Sequence, residues 1–584
     1  MIAILVSWLI ILFVLFSAGD FFIYLYQALC RSKSNYSLTD RFLIGMCAIL
    51  IPLSLSSLFI PSNQFVLFTF LGLLIIYWVF RKKHLQKTVN GVLKKIQGLS
   101  IIRLFIIALA LFSFCILCLY SSFLSFDPNY YHYQNIRWNE DFAVIPGLGN
   151  FEDRLGFNSN YLLISSIFTL RFLFGQPVYG LQSALAILLA IWILYETINS
   201  RFEIKRLILL VLYFLLFYFS KEGIADTSTD TIPNLAVFYL ISSLILYPDN
   251  LRKKPLLYIF VIISLVTYKL LFAPLCLISL YVIYQLVKEK KYKEMLFPCL
   301  SAMAVIVLWL IRNVIITGYL VYPLGEIDLF SFDWKVPQYV LIKQREYISE
   351  IGNGGFGYAI PHYLKNLTFS TFFLSWTTYF FLSVIAVFIT GFWYIRKKGN
   401  TPAYMYFIFV VLSINMIYWL LTARDFRFCA GVIFAMLFFA ISLILKDNKR
   451  MGAKTGNIII AGFTMLIFIS FAKAGSQYYH ALKERNIKDY VLVMLYRPYP
   501  AEYKMEDSAL FEKTSHNLTF EIIPYKINDS ITIYITTQRT GSCFGIFPCT
   551  GDAAIAEEWK MQDIKTVEAR GNSLQNGFRV KQLK

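Results

Sequence analysis

Long apolar runs recur through the first 472 residues, and short segments between them hold much of the charge. A chain that is 58% hydrophobic, 18% aromatic and only 15% charged departs from soluble domains, where about a quarter of residues are charged. Folded in water it would expose far too much apolar surface. Lipid must be part of its solvent. At about 20 residues per upright crossing, the runs predict an α-helical polytopic membrane protein with about fourteen spans. These lie near 3–29, 42–60, 64–80, 101–122, 178–198, 206–220, 232–247, 255–268, 270–287, 294–316, 368–394, 402–422, 428–445 and 455–472.

The net charge of +19 does not point to nucleic acid, because its Lys and Arg are not gathered in one stripe. They cluster between apolar runs: Arg81 to Lys83, Arg252 to Lys254, Lys288 to Lys293, Arg396 to Lys398 and Lys449-Arg450. That is the positive-inside pattern of cytoplasmic loops. The first run has no preceding cation and is too long for a signal-peptide core. Arg31 and Lys33 follow it, so the N-terminus is expected outside.

The apolar stretch Tyr161–Phe174 decides the rest of the topology. Counted as a crossing, it would put Arg201 to Arg206 and Arg252 to Lys254 outside. Treated as a short helix lying at the outer membrane surface, it restores the charge bias of every later loop. The expected outer segments are then 123–177, 221–231, 317–367 and 423–427, with everything after 473 also outside. Residues 1–474 form the membrane domain, and 475–584 form a small extracytoplasmic α/β or β-rich domain. Its strand-like runs are Leu518 to Pro524 and Ser530 to Thr537. Seven cysteines lie in or beside apolar runs, whereas Cys543 and Cys549 lie in this polar region. They are either a short disulfide loop, implying an oxidising compartment, or two free thiols.

The densest polar cluster is Asp127-Pro-Asn-Tyr130-Tyr131-His132, followed by Arg137-Trp138-Asn139-Glu140 and Asp153-Arg154. An acid at the outer end of a membrane helix can accept a proton from an attacking hydroxyl, while aromatic faces pack on sugar rings. An interfacial aromatic belt with a capping Asp explains the same residues. Asp226 and Asp230 open a later span, either sharing a helix face or capping it. Lys269 lies between two short apolar segments, Arg312 ends a span, and Arg424 and Arg427 occupy a short outer turn. Together these cations suit a pocket for a lipid-linked phosphate; singly each suits an interfacial anchor. Gly352 to Gly357 is expected to be a flexible loop rather than a phosphate-binding one. Neither zinc-ligand spacing nor a Gly-x-Ser-x-Gly elbow is present.

In this order the motifs resemble the GT-C class of membrane glycosyltransferases, which use polyprenyl-phosphate-linked sugars. Asp127 stands where that class carries a catalytic Asp, Asp230 (or Asp226) stands for its second outer acid, and Thr267-Tyr268-Lys269 resembles its Lys-containing junction. Still closer is the similarity to a poorly characterised family of bacterial multi-pass proteins encoded among surface-polysaccharide genes. It is carried by Asp127 to His132, Pro146 to Asn150, Arg312-Asn313 to Pro323, Trp419 to Phe428, Cys543 to Cys549 and Ala569 to Phe578. Arg424 stands where that family has proline, which weakens a cationic role for Arg424 but not for Arg427.

The resemblance implies inverting glycosyl transfer at the outer face of a bacterial plasma membrane, from a polyprenyl-phosphate-linked sugar to a glycan or lipid acceptor. Asp127 would be the general base, with Asp230 and His132 orienting substrate or a divalent metal. Lys269, Arg312 and Arg427, with Tyr131 and Trp138, would bind the substrate and its lipid phosphate. A polysaccharide polymerase or ligase shares these features. A transporter or flippase of lipid-linked glycan would instead place charges near mid-membrane or repeat its helices symmetrically.

Overall fold

The computed structural model describes residues 1–120, 127–225, 227–368, 372, 375–396, 403–445, 450–484, 522–536, 543, 546–551 and 563–581. They form a helical bundle and a small β region near the C-terminus. Among the described residues, seven helical segments are long and apolar enough to cross a membrane, or eight if one bent pair counts as a span. Large apolar side chains such as Leu9, Phe65, Phe80, Phe388 and Phe392 face outward, as lipid-facing residues do in a membrane bundle. The fold is that of a helical membrane protein.

Fourteen crossings are not supported. Helix α1 (Ile2–Cys30), α2 (Leu38–Ser56) and α3 (Gln64–Phe80) follow the expected runs, but α3 turns by 93° into the basic helix α4 (Lys82–Gln97). The run at 101–122 becomes α5 (Ile101–Tyr120). Among later runs, 232–247 and 428–445 become helices of 16 and 15 residues, less than a bilayer thickness at 1.5 Å per residue. The run at 255–268 is a π-helical piece, Leu256–Val261, joined to a four-residue helix. Apolarity alone does not measure helix length.

Helices α1 and α2 meet backbone to backbone. A Cβ on Gly19 would collide with the carbonyl of Arg41, and one on Gly45 with that of Leu15, the close approach that small residues permit in membranes. A capping box starts α2: Ser37 Oγ accepts from the Asp40 N–H at 3.1 Å, and Asp40 Oδ2 accepts from the Ser37 N–H at 2.7 Å. Polar clusters tie down that end. Buried Asp20 pairs with Arg41 and accepts from Tyr77 OH at 2.7 Å, while Asp40 pairs with Lys254 at 2.7 Å. The opposite end of α2, about 28 Å away at 1.5 Å per residue, meets the segment 127–174.

That segment is a run of short elements: a π-helical turn Pro128–His132, α6 (Tyr133–Asp141), α7 (Leu148–Phe151), a 3₁₀ turn Asp153–Phe157, α8 (Asn160–Ser166) and α9 (Arg171–Phe174). The stretch Tyr161–Phe174 is therefore not one surface-lying helix. It breaks at Leu170, where φ is 51°, and residues 160–170 are all buried.

Beyond it run α10 (Leu181–Asn199), α11 (Ile204–Ala225), α12 (Thr231–Leu246), α13 (Asn250–Lys253) and α14 (Ile262–Leu265). Then come α15 (Cys276–Lys288), α16 (Tyr292–Thr317) and α17 (Gln338–Lys365). The last four are α18 (Trp376–Arg396), α19 (Ala403–Thr422), α20 (Ala430–Ile444) and α21 (Ala453–Glu484). The expected flexible loop Gly352 to Gly357 is instead helical, inside α17.

The expected domain boundary at 474/475 falls inside α21. Further on, β1 (Ile522–Lys526) and β2 (Thr532–Thr536) pair antiparallel, and β2 pairs parallel with β3 (Cys549–Gly551). A second ladder joins β4 (Val567–Ala569) to β5 (Phe578–Val580). Residues 518–521 and 537 of the expected strands lie outside the described residues. These strands share their core with the rest of the protein: Ile531, Ile533, Ile535, Ile564, Val567 and Phe578 pack with Trp138, Ile145, Leu148, Phe151, Leu155 and Ile316. Cys543 and Cys549 form a disulfide. Gln134 holds its loop, donating to the Ile546 carbonyl at 2.6 Å and accepting from the Cys549 N–H at 3.3 Å.

Candidate functional site

A cavity of about 870 Å³ opens where the segment 127–159 meets the ends of α12 and α16, the N-terminal half of α17, and the α19–α20 turn. Each charged group there is aimed by a specific backbone device. Asp127 immediately precedes the π-helical turn Pro128–His132, an irregularity that recurs at functional sites and here places Tyr131 and His132 on the cavity with it.

Asp230 is the N-cap residue of α12, yet its side chain makes no capping bond. Its carboxylate turns to Lys269 and to Arg427. Asp226 lies outside the described residues. Lys269 sits in extended backbone between α14 and a 3₁₀ turn, Leu270–Leu275. The start of α8 holds this strand: Ser159 Oγ donates to the Tyr268 carbonyl at 2.9 Å, and Asn160 Nδ2 to Thr267 Oγ1 at 2.8 Å. Ser159 and Asn160, just before the apolar stretch Tyr161–Phe174, thus position the Thr-Tyr-Lys motif.

Asn234 joins the two remaining elements. Its amide donates to the carbonyls of Asp230 at 2.9 Å and Arg427 at 2.8 Å, and its oxygen accepts from the Gly431 N–H at 2.7 Å. A Cβ on Gly431 would collide with Asn234 backbone, so α12 and α20 cross in contact.

These devices produce one chain of charges. Arg427 lies 2.9 Å from Asp127, 3.0 Å from Asp425 and 4.0 Å from Asp230. Lys269 completes the chain on Asp230, with its ammonium 3.3 Å from the Phe428 ring centroid. Burial alone would push the Asp127 carboxyl up. Arg427, His132 and Arg154 more than offset this and hold it below its usual range, so it is ionised at neutral pH. Burial pulls His132 down to about 4, although Asp127 and Asp230 act the other way. His132 is therefore neutral, and among the described residues neither of its ring nitrogens has a hydrogen-bond partner.

Of the residues expected at a site, Asp127, Tyr131, His132, Asp230, Lys269 and Arg427 line this cavity. Arg312 and Trp138 do not. Arg312 is buried, with its donors directed to Ser57 Oγ, Asn139 Oδ1 at 2.8 Å and Asn158 Oδ1 at 3.3 Å. It clamps the end of α2 to α6 and is not available to a phosphate. Trp138 is core, with its ring 4.8 Å from Phe547 and 5.4 Å from Phe151. Arg424 points its Nε at the Leu420 carbonyl, at 2.6 Å, closing its own helix.

Arg154 and Tyr347 line the cavity without having been singled out from the sequence. Arg154 follows Asp153 in a polar stretch of the sequence but belongs to no motif. Tyr347 belongs to α17, where no apolar periodicity drew attention. Among the described residues, no group of three or more His, Cys, Asp or Glu side chains is arranged to hold a metal ion.

Residues 1–434 match a family described only as Domain of unknown function (DUF8201). The chain belongs to this family. Every lining residue of the cavity falls within the matched range, whereas the strands β1–β5 lie beyond it. No curated protein and no solved structure matches the chain.

Proposed function

We propose that this DUF8201 protein is an inverting membrane glycosyltransferase that uses a polyprenyl-phosphate-linked sugar at the outer face of a bacterial plasma membrane. The observation that supports it is the convergence of Asp127, Asp230, Lys269 and Arg427 on one cavity. In the proposed step the acceptor hydroxyl oxygen bonds to the anomeric carbon, and the bond from that carbon to the lipid phosphate oxygen breaks. The hydroxyl proton passes to the Asp127 carboxylate, and the lipid phosphate departs with the electron pair. Arg427 keeps Asp127 ionised and in place, while Lys269 holds the Asp230 side chain in place. A neutral His132 offers a hydrogen bond to a sugar hydroxyl. The Cys543–Cys549 disulfide supports an oxidising compartment for the C-terminal strands, consistent with both termini lying outside.

Deleting the gene and following lipid-linked sugars tests the reading. A transferase predicts build-up of one lipid-linked sugar donor and a surface glycan lacking one residue. A polymerase or ligase gives shortened or unattached chains instead. An unchanged lipid-linked pool together with an unchanged glycan would contradict all three.

A further inference from the structure

The cavity lining carries two carboxylates, Asp127 and Asp230, against four cations, Arg154, Lys269, Arg345 and Arg427. Three of these cations are already paired: Lys269 with Asp230, Arg427 with Asp127, and Arg345 with Glu326. Arg154 has no ion pair among the described residues, and its Nε and Nη2 have no hydrogen-bond partner, although it is only 8% exposed. An unpaired buried cation is costly, and a persistent orphan donor in a cavity wall calls for a partner that arrives from outside.

Three tyrosine rings surround it. The Arg154 Cζ lies 4.9 Å from the ring centroid of Tyr347, 5.0 Å from Tyr130 and 5.8 Å from Tyr131. Such faces hold a guanidinium in place and lessen the cost of its burial, but they leave its Nε and Nη2 donors unsatisfied. Those donors form the planar fork that matches a phosphate or carboxylate. Tyr130 is fixed in turn by Glu152, whose other oxygen accepts from Thr550 Oγ1 at 2.7 Å. One wall of the cage is thus braced by strand β3.

We infer that Arg154, in its cage of Tyr130, Tyr131 and Tyr347, is the subsite for the anionic phosphate group of the ligand that enters the cavity. Lys269 and Arg427 then serve to position Asp230 and Asp127 rather than to bind that anion. The assignment rests on the transferase reading only for the identity of the phosphate carrier, a lipid rather than a free anion.

The test titrates the full-length protein in detergent micelles with a short-chain polyprenyl monophosphate, the matching polyprenol and inorganic phosphate, reading affinity from the rise in melting temperature. The wild type is expected to respond to polyprenyl phosphate and not to polyprenol. Arg154→Gln should weaken that response by about 30-fold or more, the loss expected when one partner of a buried charge pair is removed. Arg154→Lys should fall between, since a point charge replaces the fork. Without ligand, Arg154→Gln should still melt in a single cooperative transition, the sign that the cavity has kept its fold. An Arg154-dependent response to inorganic phosphate but not to the lipid supports the anion subsite and contradicts a lipid carrier. Unchanged lipid-phosphate affinity in Arg154→Gln overturns the subsite and leaves the transferase reading standing. Silence of the wild type to both phosphates overturns both.

Discussion

Arg427 Nη1 stands 2.9 Å from Asp127 Oδ2, joining the turn between α19 and α20 to the start of a loop 300 residues earlier in the chain. The pair fixes the sign of the pH dependence. Burial pushes the Asp127 carboxyl up and Arg427 pulls it down. Replacing Arg427 by Gln leaves burial dominant, so Asp127 takes up its proton at higher pH. The acid limb of the kcat/KM profile for sugar transfer should move to higher pH in Arg427→Gln. A limb that stays in place would show that Asp127 does not govern it.

His132 sets a different window. Its ring titrates near 4 in the folded protein against 6.5 for an ordinary histidine. Between those values the unfolded chain binds a proton that the folded one refuses. Stability therefore declines as pH falls from about 6.5 towards about 4, by at most roughly 3 kcal/mol. Denaturant unfolding of the solubilised protein at neutral and mildly acidic pH should show this slope, and His132→Gln should flatten it. An equal slope in the variant would assign it to other groups.

Asn234 is buried and makes three bonds that tie Asp230, Arg427 and Gly431 together. Asn234→Leu keeps the volume and removes all three. A displacement of about 1 Å between reacting groups costs on the order of 100-fold in rate, so kcat should fall by about that factor with little change in KM for the lipid-linked donor. A kcat unchanged in Asn234→Leu would remove it from the site's framework.

Trp138 holds the C-terminal strands to the rest of the chain, through Phe547 and Phe578 on one side and Phe151 on the other. Trp138→Ala removes a large buried ring at a cost of about 3–5 kcal/mol. Limited proteolysis should then cut the region after Glu484 much faster than in wild type, while the helices before it remain intact. Equal cutting rates would mean that the strands are held elsewhere.

What could be read from the sequence was what depends on local pattern. The apolar runs of α1, α2, α3, α10, α16 and α19 correspond to helices at nearly the expected bounds, and Asp127, Asp230, Lys269 and Arg427 were noticed because charge at the edge of an apolar run is unusual. Hydropathy could not report whether a run continues as one helix. The π-helical Leu256–Val261 piece and the broken Tyr161–Phe174 stretch, buried as far as Leu170, are as apolar as true spans. Nor could it report which cations are already paired. Arg312 and Arg154 are both arginines beside apolar segments, yet one has its donors used by Ser57, Asn139 and Asn158 and the other does not. That difference exists only once distant segments meet. Trp138 was misassigned for the same reason, since its partners Phe547 and Phe578 are about 400 residues away in the chain.

The most direct measurement is sugar transfer by Asp127→Asn in reconstituted proteoliposomes supplied with the lipid-linked donor that accumulates in the deletion strain. The substitution keeps size and polarity but cannot accept the hydroxyl proton. Transfer should fall by about 100- to 10,000-fold, the usual contribution of a general base, while donor affinity and melting temperature stay near wild type. Transfer at the wild-type rate in that folded variant would contradict the role of Asp127 and, with it, the proposed reaction.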